Sequence, residues 1–229
     1  MRFSSVEIAL IAVFAALQAI LSLFPLTLTI GVSGQITLGV IGGPLIGVLL
    51  GPAVGGAAVL LGSLIGVFAN PAGAVFGVWT VLPPLMGAVG AGLVRSGKSY
   101  LCGALFLVSI LSFYTNPVGR EVLIYPWLHV VAMVVAFSPI GLKAGAWFRS
   151  TDARKQATGV AVSIFLGVLL DHIVGSAIAV WYYPMLTAPI WYAIVLVYPV
   201  ERLVAFTIAT VIAVPINSSL RRAKLLETL

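Results

Sequence analysis

The chain is poor in charge. Of its 229 residues only 8% are Asp, Glu, Lys or Arg, where a soluble domain carries roughly 25%. So few charges cannot solvate a globule of this size, which excludes an ordinary soluble domain. Cysteine is almost absent: Cys102 stands alone, so an intramolecular disulfide and a thiolate metal cluster are both excluded. There are two histidines, in neither HxxxH nor HExxH spacing, and there is no G-x-S-x-G. Nothing specific therefore argues for an enzyme, a resident cofactor or a metal centre. No hydrophilic stretch is long enough to fold separately. The ten-residue alternation of a membrane β-barrel is missing as well.

What the chain has is apolar residues, 61% of the total, and a mean hydropathy of +1.18. Apolar runs recur from end to end. This pattern reads as an all-α, polytopic helix bundle, with residues 1–229 forming one integral membrane domain in contact with lipid. The net charge of +6 does not indicate nucleic acid, because the charges sit at the ends of apolar runs. The first run has no small-x-small cleavage site before Pro25, and a similar run follows it. It reads as an uncleaved helix.

Eight spans are expected, roughly Val6–Phe24, Ile36–Leu50, Ala53–Ala69, Val75–Val94, Tyr100–Tyr114, Val122–Leu142, Ala157–Tyr183 and Ile190–Ile216. Pro25, Gly51-Pro52, Asn70-Pro71, Ser96-Gly97, Asn116-Pro117 and Pro184 punctuate them. With the N-terminus inside, one side receives Arg2, Arg95, Lys98, Lys143, Arg149, Arg154, Lys155, Arg221, Arg222 and Lys224. The other side receives only Arg120, and Arg202 falls inside the last span. The positive-inside rule then places both termini in the cytoplasm of a multi-pass cell-membrane protein.

Asn-Pro-x-Gly occurs twice, in "FANPAG" and "FYTNPVG". A shift of 46 residues aligns Asn70 with Asn116, Phe68 with Tyr114, Trp79 with Tyr125 and Ser63 with Ser109. Each copy joins an outgoing helix to a returning one. Plain punctuation accounts for such turns, since Asn and Pro end helices and Gly permits positive φ. A duplicated hairpin is the other reading. "GLVRSGKS" at Gly92–Ser99 fits the P-loop pattern literally. A P-loop needs a buried strand leading into a helix, however, and here the segment follows a membrane helix. It reads as a glycine helix stop with cytoplasmic cations.

Ionisable groups within spans are functional candidates by default. At 1.5 Å per residue from the cytoplasmic ends, Asp171, His172 and His129 fall at about 20 Å, and Trp79, Glu201 and Arg202 at about 22 Å. Asn70 lies slightly further out. Trp181 and Tyr182 crowd the same end, with Tyr125, Trp191 and Tyr198. An interfacial aromatic belt explains such aromatics, and ion pairing of Asp171 with Arg202 or of His172 with Glu201 would neutralise the charges. The alternative is a pocket with aromatic walls and charges that fix a ligand's orientation. In the first helix, Ala12, Ala16 and Ala19 make a small-residue stripe and Ala15 with Ala19 an overlapping one. Such stripes pack closely, within the chain or against another subunit.

Four segments carry a resemblance: the alanine-rich first helix, the Gly-rich pair at Leu38–Gly66, "LLDHIVGSAIAVWYYP" at Leu169–Pro184 and "YPVERLVAFTIATVIAVPINSSL" at Tyr198–Leu220. Together the chain resembles the substrate-binding S component of an energy-coupling factor (ECF) transporter. The resemblance implies uptake of a vitamin or similar micronutrient. The partners it implies are a transmembrane coupling subunit and two ATPases. It assigns Ala12 and Ala16 to coupling contacts. It assigns the loop Thr27–Gln35, Asn70, Trp79, Asp171, His172, Trp181, Tyr182 and Glu201 to the pocket. The family core has six helices, so the hairpin at residues 100–142 would be an insertion. A chain of this kind can instead be an autonomous proton-coupled transporter or channel using Asp171, His172 and Glu201.

Overall fold

The computed structural model describes residues 3–24 and 37–222, with the side chains of 221 and 222 excepted. Among these residues the chain is helical and has no strand. The loop Thr27–Gln35 lies outside the described residues.

Helix α1, Ser5–Leu23, starts with a capping box: Glu7 N–H donates to Ser4 Oγ at 3.2 Å, and Ser4 N–H donates to Glu7 Oε2 at 2.7 Å. Helices α2 (Gly39–Leu50) and α3 (Pro52–Ala69) meet at Gly51, whose φ of 84° only glycine adopts freely, and Pro52 opens α3. Two 3-10 turns, Pro71–Gly73 and Gly77–Val81, precede α4, Leu82–Arg95. The P-loop-like segment is indeed a helix stop. The N–H groups of Ser96, Gly97 and Lys98 donate to Gly92, Val94 and Leu93, so none is left for a phosphate.

Helix α5 is Ser99–Thr115, and α6 is a short turn at Pro117–Glu121. The expected span Val122–Leu142 is not one helix. It divides into α7, Trp127–Phe137, and α8, Pro139–Phe148, bent by 65° at Ser138. Pro139 cannot donate back into α7, and Ser138 Oγ instead accepts from Ile140 N–H and caps α8. Helix α9, Ala153–Tyr182, is capped by Asp152, and α10 runs Ala188–Arg222 through Pro199 and Pro215.

Five stretches are long and apolar enough to cross a membrane: α1, α3, Gly77–Arg95, α9 and α10. The bent α7–α8 pair makes a sixth if it counts as one span. Helices α2, of 12 residues, and α5, of 17, are apolar but shorter. The count of eight thus becomes five or six spans with two shorter companions.

Small residues set the packing. A methyl group added at Gly47 of α2 would lie 2.1 Å from the Ala88 carbonyl of α4. One added at Gly62 of α3 would lie 2.4 Å from the Ala15 carbonyl of α1. Backbones approach this closely only where side chains are absent. Helix α9 is central: its residues join both hydrophobic clusters, one with α1–α3 and the other with α5 and α7. Helices α5 and α8 pack on α4 and α9, and α7 packs on α5 and α9.

Candidate functional site

The close packing opens at one end of the bundle. There a cavity of about 250 Å³ lies among the C-terminal parts of α1, α3 and α9, the turns before α4, and the first half of α10. The cations of the helix ends gather elsewhere: Arg95 closes α4 at the far end, where its Nη1 donates to the Leu49 carbonyl at 2.7 Å.

Helix α1 contributes Gln18, which is fully buried. Its Nε2 donates to Ser63 Oγ at 3.2 Å and to the Gly39 carbonyl at 3.3 Å, tying α1 to α3 and to the start of α2. Its Oε1 has no partner. Ser22, one turn later, donates to the Gln18 carbonyl, and its own carbonyl accepts from Asn70 Nδ2 at 3.0 Å.

Helix α9 contributes Asp171, His172, Gly175, Ser176 and Ala179, two adjoining stripes of one helix face. Asp171 is 3% exposed, and its Oδ2 has no hydrogen-bond partner. His172 Nδ1 lies 2.9 Å from His129 Nε2 of α7, so one of these two nitrogens carries the shared proton. The two imidazoles stack with Tyr198 of α10, with ring centroids 4.7–5.1 Å apart. Ser176 Oγ–H donates to the His172 carbonyl and accepts from the Tyr125 hydroxyl at 2.8 Å. Tyr198 donates to the Tyr125 carbonyl at 3.0 Å. Tyr183, just past α9, donates to the Val75 carbonyl and closes the rim.

Helix α10 contributes Glu201 and Arg202. Arg202 Nη2 lies 3.6 Å from Glu201 Oε2, a pair between neighbours on one helix rather than across helices. Neither interhelical pair that would have neutralised the charges forms within 4 Å among the described residues.

The structure thus brings Asn70, Asp171, His172, Glu201 and Arg202 to one cavity, with His129 directly behind His172. It leaves Trp79, Trp181 and Tyr182 off the lining, 57%, 56% and 47% exposed. They project outward as belt aromatics do. Tyr125, Trp191 and Tyr198, read equally well from sequence as belt residues, are instead buried and line the cavity. Gln18 and Ser63 were not singled out as ligand contacts. A single amide in an alanine-rich helix was the available signal.

No family model matches the chain. An uncharacterized protein of Methanocaldococcus jannaschii is 31% identical over 125 residues, which is 55% of this chain and 42% of that protein. The match thus takes in less than half the length of this relative. No solved structure matches. The site is accordingly read from its own geometry.

That geometry suits reversible binding. The cavity is small, mostly apolar in its walls, and carries a few buried polar groups. Among the described residues no three His, Cys, Asp or Glu side chains converge as a metal-ligand set. The alanines divide sharply. Ala15 is buried against Gly62, Ala19 is half-buried, and Ala12 and Ala16 are exposed on the outer face of α1.

Proposed function

We propose that this chain is a membrane-embedded substrate-binding subunit for uptake of a vitamin or similar micronutrient, of the S-component kind. The observation that carries the proposal is the cavity at one end of the bundle, where buried Asp171, Glu201 and Arg202 line a half-open space between apolar helices. Charges at such positions are expensive unless they serve a ligand or a path. In this proposal the chain crosses the cell membrane as a multi-pass protein, with both termini cytoplasmic. The cavity then opens outward. A separate transmembrane coupling subunit and two ATPases drive release, and the chain performs no chemistry of its own. The hairpin at residues 100–142 is an addition to a six-helix core, and it supports the cavity's back wall through Tyr125 and His129.

Docking falls to Ala12 and Ala16, whose exposure is what a close helix contact with a partner requires. Replacing both by arginine is expected to abolish uptake in cells while substrate binding by the purified chain persists. Undiminished uptake would refute the coupling role.

A second reading draws on the His129–His172 hydrogen bond beside Asp171, which resembles a stretch of proton path. The chain would then transport alone. Proton-driven uptake into liposomes by the purified chain supports that reading, and its absence with the coupling subunit required supports the first.

A further inference from the structure

We infer that the cavity takes a small organic cation bearing N–H donors, and that Asp171 is its counter-ion. The inference rests on the binding-subunit proposal and narrows it to a ligand class.

Among the described residues, the charged side chains lining the cavity are two carboxylates, Asp171 and Glu201, and one guanidinium, Arg202. Arg202 is matched by Glu201 on its own helix. With neutral imidazoles one negative charge is left over, and Asp171 makes no ion pair within 4 Å among the described residues. The stretch 25–36, between cavity-lining Ser22 and Thr37, contains no ionisable side chain. Arg202 is shared between the two carboxylates and offsets only part of the penalty of burying a charged Asp171, and a cationic ligand supplies the rest.

Donor and acceptor counting agrees. Gln18 Nε2 is already engaged twice, which leaves Oε1 as a buried acceptor without a partner. Asp171 Oδ2 is a second. Gln18 Oε1 points at Gly42 of α2, so the acceptor offered to a ligand's N–H donors is the Asp171 carboxylate, which lines the cavity. Arg202 also lines the cavity, so its guanidinium can donate to an acceptor on the ligand. The walls fit an organic cation. Half-buried Phe76 and Tyr183 line the cavity, and their negative quadrupoles attract positive charge. A dehydrated metal ion fits less well, since no set of three His, Cys, Asp or Glu ligands converges among the described residues.

The test uses the full chain in detergent and three probes of one shape: benzamidinium, benzamide and benzoate. Isothermal titration and thermal shift read their binding. Benzamidinium is expected to bind at least about tenfold more tightly than benzamide, the scale of one charge-assisted hydrogen bond, and benzoate not measurably. Asp171→Asn should bring benzamidinium to within about twofold of benzamide, while Asp171→Glu keeps the preference. Equal binding of the three probes, preference for benzoate, or an unchanged preference in Asp171→Asn overturns the inference. The wild-type charge series decides the matter even if a variant fails to fold. Binding of benzamide or benzoate in the cavity, with no cation preference, overturns the ligand class but leaves the binding-subunit proposal standing. No binding of any probe counts against both.

Discussion

The two Asn-Pro-x-Gly turns are built alike and serve different places. In the first, Asn70 Oδ1 accepts from Gly73 N–H at 3.3 Å, and its Nδ2 donates to the Ser22 carbonyl at the end of α1. In the second, Asn116 Oδ1 accepts from Val118 N–H at 2.9 Å, and its Nδ2 donates to the Val180 carbonyl near the end of α9. Each asparagine therefore caps the turn that follows and fastens the end of a distant helix, whose last carbonyls lack partners. The difference lies in what is fastened. Asn70 holds the part of α1 that carries Ser22 and Gln18, and it lines the cavity itself. Asn116 is nearly buried, away from the cavity, and holds the hairpin against α9. One local solution to ending a helix lines the cavity in one copy and is purely structural in the other.

The largest expected effect is at the second glycine. A methyl group at Gly119 would lie 2.2 Å from the Phe113 carbonyl, which cannot move without unwinding α5. Gly119→Ala should cost about 3 kcal/mol in denaturant unfolding of the detergent-solubilised chain. Next comes Asn116→Ala, which leaves the Val180 carbonyl and Val118 N–H unmatched in a buried setting. About 2 kcal/mol of stability should be lost, with ligand affinity per folded molecule unchanged. Asn70→Ala should reverse the pattern, costing about 1 kcal/mol of stability because the site is half-buried. Its effect on affinity should exceed that of Asn116→Ala, as read by titration of the bound compound. The smallest effect is expected at Gly73. A methyl there meets only the ends of the Asn70 and Thr37 side chains, each at 2.9 Å, and these can give by a few tenths of an ångström while the Asn70 hydrogen bonds persist. Gly73→Ala should cost less than about 1 kcal/mol. If Gly73→Ala proved as damaging as Gly119→Ala, the two turns would be equivalent after all.

Much of this was legible in the sequence. Spacing of apolar runs located the helices, and depth counting placed Asp171, His172, Glu201 and Arg202 in one layer because rise per residue is nearly constant in a helix. Rotation about the helix axis was harder. Trp79, Trp181 and Tyr182 share that depth yet face outward, whereas Tyr198 at similar depth is buried against two histidines. Which way an aromatic points depends on the neighbour it packs against, and composition alone does not say. The break at Ser138 escaped notice for a related reason. Hydropathy is continuous across α7 and α8, and only the proline and its cap mark the bend. Gln18 was hidden among the alanines around it, although a buried amide between two helices is what its position requires.

The cavity is proposed to hold a ligand. Gly175 faces that space: a methyl group there would find Pro83 at 3.6 Å and Phe76 at 4.0 Å, both ordinary contacts. Gly175→Leu therefore fills the cavity without forcing the backbone. Native mass spectrometry of the purified wild-type chain and of Gly175→Leu, matched for thermal stability, tests the claim directly. The wild type should carry one small molecule per chain, and Gly175→Leu none. A wild type without such a molecule, or a Gly175→Leu variant that retains it, would contradict the assignment of the cavity as the binding site.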